Sequence, residues 1–203
     1  MPSESTVYKT YDKIADWFDE HRSRELFEKP YLDKVIGHIK PGSIILDLGC
    51  GMGEPITEYL INKGINVVGV DRCERLIELA KERFPNTRFL LKDMRDLCLC
   101  EKFDAIIAWH SFFHLNLAEQ RTMFQTFEEH INPGGILLFT SGPDAGEVWG
   151  DNGGEMLYHA SLSPAEYRSL FEQCGFNELL FNIEDPTCGG ATVWMAQRKT
   201  RTN

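Results

Sequence analysis

Residues 43–53 read Ser43-Ile44-Ile45-Leu46-Asp47-Leu48-Gly49-Cys50-Gly51-Met52-Gly53. A short, nearly continuous apolar run followed at once by alternating glycines describes a strand buried on both faces that enters a tight turn. Glycine at such a turn lets the backbone bend and lets a ligand touch it without interference from a Cβ. A helical segment over about 55–63 follows and is stopped by Gly64 in the C-terminal capping role. The free N–H groups and positive dipole end of that helix face the same turn. Strand, glycine turn and helix are the repeating unit of an open α/β sheet.

The alternation continues outward from this unit. Residues 65–70 (INVVGV) form a second buried strand ending on Asp71, and the next helix places Leu76, Ile77, Ala80 and Phe84 on one face. Residues 87–91 and 103–109 (FDAIIAW) are strands three and four. Asn116 with Glu119 is a capping pair ahead of Met123, Phe124, Phe127 and Ile131. Asn132-Pro133-Gly134-Gly135 is a turn into strand five over 136–140, and residues 176–183 and 191–197 pair as a closing antiparallel hairpin. At the front, Tyr8, Tyr11, Ile14, Trp17 and Phe18 recur at helical steps, and a second helical stretch covers about 26–38. The expected architecture is one domain over 1–203: a three-layer Rossmann-like α/β sandwich with a seven-stranded, mostly parallel sheet and an antiparallel final hairpin. Residues 1–40 would be a helical cover on a core spanning 41–203.

Residues 141–160 stand out as the longest stretch without periodicity, with five glycines beside Trp149, Tyr158 and His159. A segment of this kind reads as a functional loop or lid, its aromatic residues and histidine turned toward a substrate. Ser163-Pro164-Ala165-Glu166 then starts the last helix, with Glu166 closing a capping box.

Composition narrows the partners. The 203 residues carry 21 Lys+Arg against 31 Asp+Glu, a net charge of −10, which opposes a phosphate backbone and argues against nucleic acid. No apolar run approaches the roughly 20 residues of a membrane helix, and Met1-Pro2-Ser3-Glu4-Ser5-Thr6 lacks the features of a secretory signal. The cysteines at 50, 73, 98, 100, 174 and 188 show no zinc spacing, so free thiols in a cytoplasmic protein are expected, with Cys98 and Cys100 at a strand edge. A monomer or homodimer suits this composition.

Two ligand classes fit a glycine turn closed by a second acid. Asp71 follows Gly53 at about the separation of a ribose-binding acid. Dinucleotides want G-x-G-x-x-G, whereas the spacing here is G-x-G-x-G, and Glu54 at the helix start would repel a pyrophosphate. At this point the sequence resembles the class I S-adenosylmethionine-dependent methyltransferases. The resemblance rests on D-L-G-C-G-M-G at 47–53, V-V-G-V-D-R at 67–72, L-K-D-M-R-D at 91–96, F-D-A-I-I-A-W at 103–109 and N-P-G-G-I-L-L-F at 132–139, in that family's order.

The resemblance implies S-adenosyl-L-methionine as cofactor and a role for each matching position. Asp47, Gly49, Cys50, Gly51 and Gly53 would line its methionine part. Asp71 would accept from the two ribose hydroxyls, and Arg72 would flank the adenine. Asp93 would meet the adenine amino group, while Met94 would offer a backbone N–H. Trp109 would close the site near the sulfonium, with Tyr11 and Trp17 as a cover. His110 and His114 lie at the exit of strand four, where open sheets bind ligands, and either imidazole can serve as general base. Their spacing allows a shared metal, but the Glu of a zincin and a third ligand are missing, so no metal is expected. The expected activity is methyl transfer to a small-molecule acceptor. A nicotinamide-dependent oxidoreductase and a non-catalytic S-adenosylmethionine-binding protein are the alternatives.

Overall fold

The computed structural model describes residues 7–200; residues 1–6, including the opening stretch considered above, and residues 201–203 lie outside them. Two helices, α1 (Val7–His21) and α2 (Lys29–His38), precede strand β1 (Ile44–Leu48). Then follow α3 (Ile56–Asn62), β2 (Asn66–Asp71), α4 (Glu74–Arg83), β3 (Arg88–Leu91) and β4 (Phe103–Ala108). The second half comprises α5 (Leu117–His130), β5 (Ile131–Ser141), β6 (Gly146–Asn152), β7 (Glu155–Ser161), α6 (Pro164–Gln173), β8 (Phe176–Asp185) and β9 (Ala191–Arg198).

Seven strands form one sheet in the order β3-β2-β1-β4-β5-β9-β8, with β9 antiparallel to both neighbours and the rest parallel. The period-two alternation of the strands divides the core into two layers. Leu46, Leu48, Val68, Val70, Ile106 and Ala108 face α5 and α6, where they meet Phe124, Phe127, Tyr167 and Phe171. Ile45, Val67, Ala105 and Ile107 face the other way, onto Leu32, Val35, Ile56 and Leu60 of α2 and α3. Strands that are apolar on both faces leave no solvent side, which is why the sheet is covered twice.

Four local expectations are corrected. Residues 141–160 are not an irregular loop: β6 and β7 pair in register from Gly146↔Ser161 to Asn152↔Glu155, a separate two-stranded hairpin turned at Gly153 and Gly154. Asn132-Pro133-Gly134-Gly135 lies inside β5 as a bulge, because pairing with β4 jumps from Phe103↔Ile131 to Ala105↔Ile136 and the surplus residues fall on the β5 side. Ser163 caps α6 alone, since the Glu166 carboxylate goes to Arg121 at 2.6 Å instead of closing a box. Cys98 and Cys100 are exposed outside any strand, while the other four cysteines are buried, and all six are free.

Helix α5 begins as expected, with Asn116 accepting from Glu119 N–H and the Glu119 carboxylate accepting from Asn116 N–H. The far side of the sheet is fixed by Trp194 of β9. Its ring stacks on Phe181 at 3.8 Å and on Phe139 at 6.0 Å, the cross-strand partners on either side, and its Nε1–H donates to Ser141 Oγ. Removing this fully buried ring leaves a cavity between three strands. Trp194→Ala is expected to lower unfolding free energy by about 3–5 kcal/mol, read as a shifted midpoint in urea denaturation.

Candidate active site

The site is built on the turn after β1. Gly49 has φ +83°, and a Cβ there would lie 2.2 Å from Ser111 Cβ, so only glycine lets the exit of β1 meet the exit of β4. Ser111 ties the two together by donating from Oγ to Leu48 O at 2.6 Å. The Asp71 carboxylate accepts from Gly51 N–H at 2.9 Å and from Cys73 N–H at 2.8 Å, joining the glycine turn to the start of α4. Gly53 turns away from the pocket, since a Cβ on it would meet the Phe84 ring at 2.9 Å; its role is packing.

A single cleft collects most of the residues expected from the sequence. The glycine turn gives Asp47, Gly49, Cys50 and Gly51, and the ends of β2 and β3 give Asp71, Arg72, Asp93 and Met94. Trp109, His110 and His114 come from the exit of β4, and Tyr11 forms part of the roof. The wall residues not anticipated include Tyr8 and Phe18 on α1, and Arg22 just beyond it. Their signal is the spacing Tyr8, Tyr11, Ala15, Phe18, Arg22, which follows a single helical stripe.

Asp47 is buried, with Thr57 Oγ1 donating to it at 2.5 Å. Burial raises its pKa to about 6, against the stabilising Thr57 bond and with the nearby Asp71 charge adding to the rise. Arg22 faces the same end, its Nε–H directed at Glu54 O at 3.4 Å. Every other arginine among the described residues is ion-paired with a carboxylate, whereas Arg22 makes no such pair and offers its guanidinium to the cleft. Glu54 is paired with Arg24 and Arg83, so its charge is offset and repulsion of a pyrophosphate loses force as a discriminator.

At the opposite end, Asp93 accepts from Arg72 and repeatedly from Arg95. Burial alone would raise its pKa; the Arg95 bonds, then Arg72, hold it at about 2. The Arg72 guanidinium lies 3.9 Å above the Tyr8 ring.

The two histidines differ in kind. They sit in a loop with a short 3-10 turn at Phe112–His114, not on an α-helix. The Tyr158 carbonyl can only accept, so His114 Nδ1, 2.8 Å away, carries the proton and donates. His114 Nε2 is then left to accept from the Tyr11 hydroxyl at 3.1 Å. Burial pushes His114 down to about 3 and Tyr11 well above the ordinary phenol range, so the pair is neutral. The His110 ring makes aromatic contacts with Trp109 and Phe113 and no hydrogen bond among the described residues. Its backbone sits at φ +49°, a left-handed conformation that costs energy for a non-glycine residue.

Besides Gly53, four expected ligand-facing residues lie outside the cleft wall. Trp17 stacks on His21 and lies against Gly153 of the hairpin turn, one position off the inward stripe of α1. Trp149 is largely exposed on the outer strand β6. Tyr158 is buried with its hydroxyl donating to Glu147 at 2.7 Å, and its carbonyl accepts from His114 at the edge of the site. His159 stands behind the wall, its ring against Phe113 and His114. Among the described residues no group of three His, Cys, Asp or Glu side chains is arranged to hold a metal, and no helix is long and apolar enough to cross a membrane.

This geometry can be set beside known proteins. Residues 45–135 match the family described as Methyltransferase domain. Over 135 residues the chain is 30% identical to the probable tRNA methyltransferase 9B of Homo sapiens, covering 65% of this chain and 28% of that protein. Over 130 residues it is 33% identical to the cyclopropane-fatty-acyl-phospholipid synthase of Escherichia coli, covering 63% of this chain and 32% of that protein. The chain therefore spans about a third or less of these curated relatives. In fold it is similar to the amino pentose methyltransferase of Micromonospora echinaspora solved with bound S-adenosylmethionine, with a TM-score of 0.71 at 18% identity over 91% of this chain and 95% of that one. The glycine turn, the two strand-end acids and β1 to the start of β5 thus fall within the stretch, residues 45–135, that is similar to the Methyltransferase domain family, on a seven-stranded sheet whose fold is similar to that of a methyltransferase solved with S-adenosylmethionine.

Proposed function

We propose that this protein transfers the methyl group of S-adenosylmethionine to a small-molecule acceptor held under α1. The observation that carries it is Asp71. Its two oxygens accept from the backbone N–H groups of Gly51 and Cys73, one each, which fixes the carboxylate at the cleft wall where it can also accept from the vicinal hydroxyls of a ribose. Asp47 and Arg22 at the other end offer a carboxylate and an unpaired guanidinium, which suit the ammonium and carboxylate of an amino acid. Met94 offers a backbone N–H and Arg72 a flat face for the adenine.

The cofactor supplies an electrophilic methyl on a sulfonium, so the chain's own work is alignment and exclusion of water, which can contribute on the order of 7–11 kcal/mol. Tyr11, Phe18 and Trp109 give the roof and wall for that exclusion. His114 orients the Tyr11 hydroxyl. Where an acceptor must lose a proton, His110 is the imidazole with a free nitrogen in the cleft. A closed roof and a net charge of −10 favour a small acceptor over a polynucleotide.

Titration calorimetry with S-adenosylhomocysteine beside NAD tests the cofactor reading; binding of NAD alone overturns it. Asp71→Asn should weaken S-adenosylhomocysteine tenfold or more, because two hydroxyls lose a charged acceptor, and an unchanged affinity removes the ribose role. Asp47 is charged above about pH 6 and neutral below it. The affinity should therefore fall as pH drops through 6, by up to about tenfold per pH unit, and this slope should flatten in Asp47→Asn. A pH-independent affinity in the wild type places the ammonium elsewhere.

A further inference from the structure

Strand β4 leaves the sheet abruptly. Its parallel ladder with β5 runs through Ile106↔Leu137, Ile107↔Leu138 and Ala108↔Phe139 and stops there, one pair short of Trp109 and Thr140. A backbone N–H that loses its ladder still needs an acceptor. His110 N–H finds one in a side chain, donating to Thr140 Oγ1 at 2.9 Å. Thr140 is buried on β5, and its backbone is held from the other side by pairing with Val193 of β9. On the opposite flank Ser111 Oγ donates to Leu48 O of β1 at 2.6 Å. Two side-chain hydroxyls thus hold the exit of β4, one to each neighbouring strand. Between them His110 takes φ +49°, and its ring lies at the cleft wall, 5.4 Å from Trp109 and 5.7 Å from Phe113. A non-glycine residue leaves that backbone region unless its surroundings hold it there.

We propose that Thr140 is a positioning residue: by accepting from His110 N–H, its hydroxyl holds the left-handed turn that keeps the His110 imidazole in the cleft. Thr140 itself lies outside the cleft wall, so it acts only through His110. A bond to a β5 carbonyl would extend the ladder and keep residue 110 in the sheet, whereas the hydroxyl satisfies the N–H while the backbone turns away. The inference rests on the reading of His110 as the imidazole that serves an acceptor.

The test follows the His110 Cε1–H signal by NMR in histidine-labelled protein while S-adenosylhomocysteine is added. In the wild type the signal should move on binding, because the ring faces the ligand space, and a signal that binding leaves unmoved overturns the proposal. Thr140→Val keeps the side-chain shape and removes the oxygen. Affinity for S-adenosylhomocysteine should then stay within about threefold, while the His110 shift loses most of its size. Thr140→Ser keeps the oxygen and should keep the shift. A wild-type shift in the valine variant, or its loss in the serine variant, overturns the role of the hydroxyl. If the valine variant does not fold, amide exchange in the wild type decides. His110 N–H should exchange about tenfold or more slowly than an exposed amide, and absence of protection overturns the bond to Thr140. Failure of S-adenosylhomocysteine to bind the wild type overturns the cofactor reading instead, an outcome distinct from binding without a His110 shift.

Discussion

The site depends on one carboxylate acting as a backbone strap. Asp71 accepts from Gly51 N–H and from Cys73 N–H, so the turn after β1 and the start of α4 are held by the two oxygens of a single side chain. Gly49 N–H and Cys50 N–H both donate to Val70 O, which brings the same turn against the end of β2. The close approach of Gly49 to Ser111 then fixes the exit of β4 relative to that turn. Three consecutive strand ends of the sheet are thereby locked together by backbone-level contacts, and the cleft inherits their rigidity. A burial-driven rise in the Asp71 pKa is the cost of the arrangement, countered by the donated N–H bonds.

The roof is attached on different terms. Helix α1 meets α4 through a row of acids one and two turns apart: Asp12 accepts from Glu74 N–H at 3.1 Å, Asp16 pairs with Arg75, and Asp19 pairs with Arg83. Lys13 reaches Glu155 on the hairpin at 3.3 Å, with the lysine largely in solvent and the glutamate partly so. Exposed pairs of this kind contribute little, about 0–1 kcal/mol each, and salt weakens them. Ile14 and Ala15 add apolar burial on the same helix. The cleft thus has a floor set by strand ends and a roof held both by these pairs and by the packing of Tyr11, Ala15 and Phe18 against Met52, Cys73 and Leu76.

The sheet and the glycine turn could be read from the sequence because their signals are local. Continuous apolar strands, alternating glycines and the Asn116 cap each encode their own geometry over a few residues. The β6–β7 hairpin escaped because its strands obey no single burial pattern: β6 is mostly exposed, while Leu157 and Tyr158 on β7 are both buried although they point to opposite faces. Alternation fails as a signal when a ribbon is half covered on each side. Trp17 misled for a simpler reason. It is the largest residue of α1, but the inward stripe passes through Ala15 and Phe18, and Trp17 falls to the side that meets Gly153. Arg22 continues the inward stripe one step past the helix end, but its importance is visible only once the other arginines among the described residues are seen to be paired.

His110 and His114 show how backbone geometry separates two side chains that sequence treats alike. The left-handed turn at His110 ends the strand and leaves its ring in the cleft beside Trp109. The 3-10 turn that follows carries His114 beneath α1, where a carbonyl fixes its proton on Nδ1 and Tyr11 occupies the other nitrogen. Desolvation disfavours the charged form of both rings, down to about 4 at His110 and about 3 at His114, so what separates them is that both nitrogens of His114 are engaged, which makes it an anchor for a neighbouring hydroxyl. Four residues of spacing therefore yield one group available for proton transfer and another that holds the roof's phenol in place, a division that follows from which nitrogens the fold has already used.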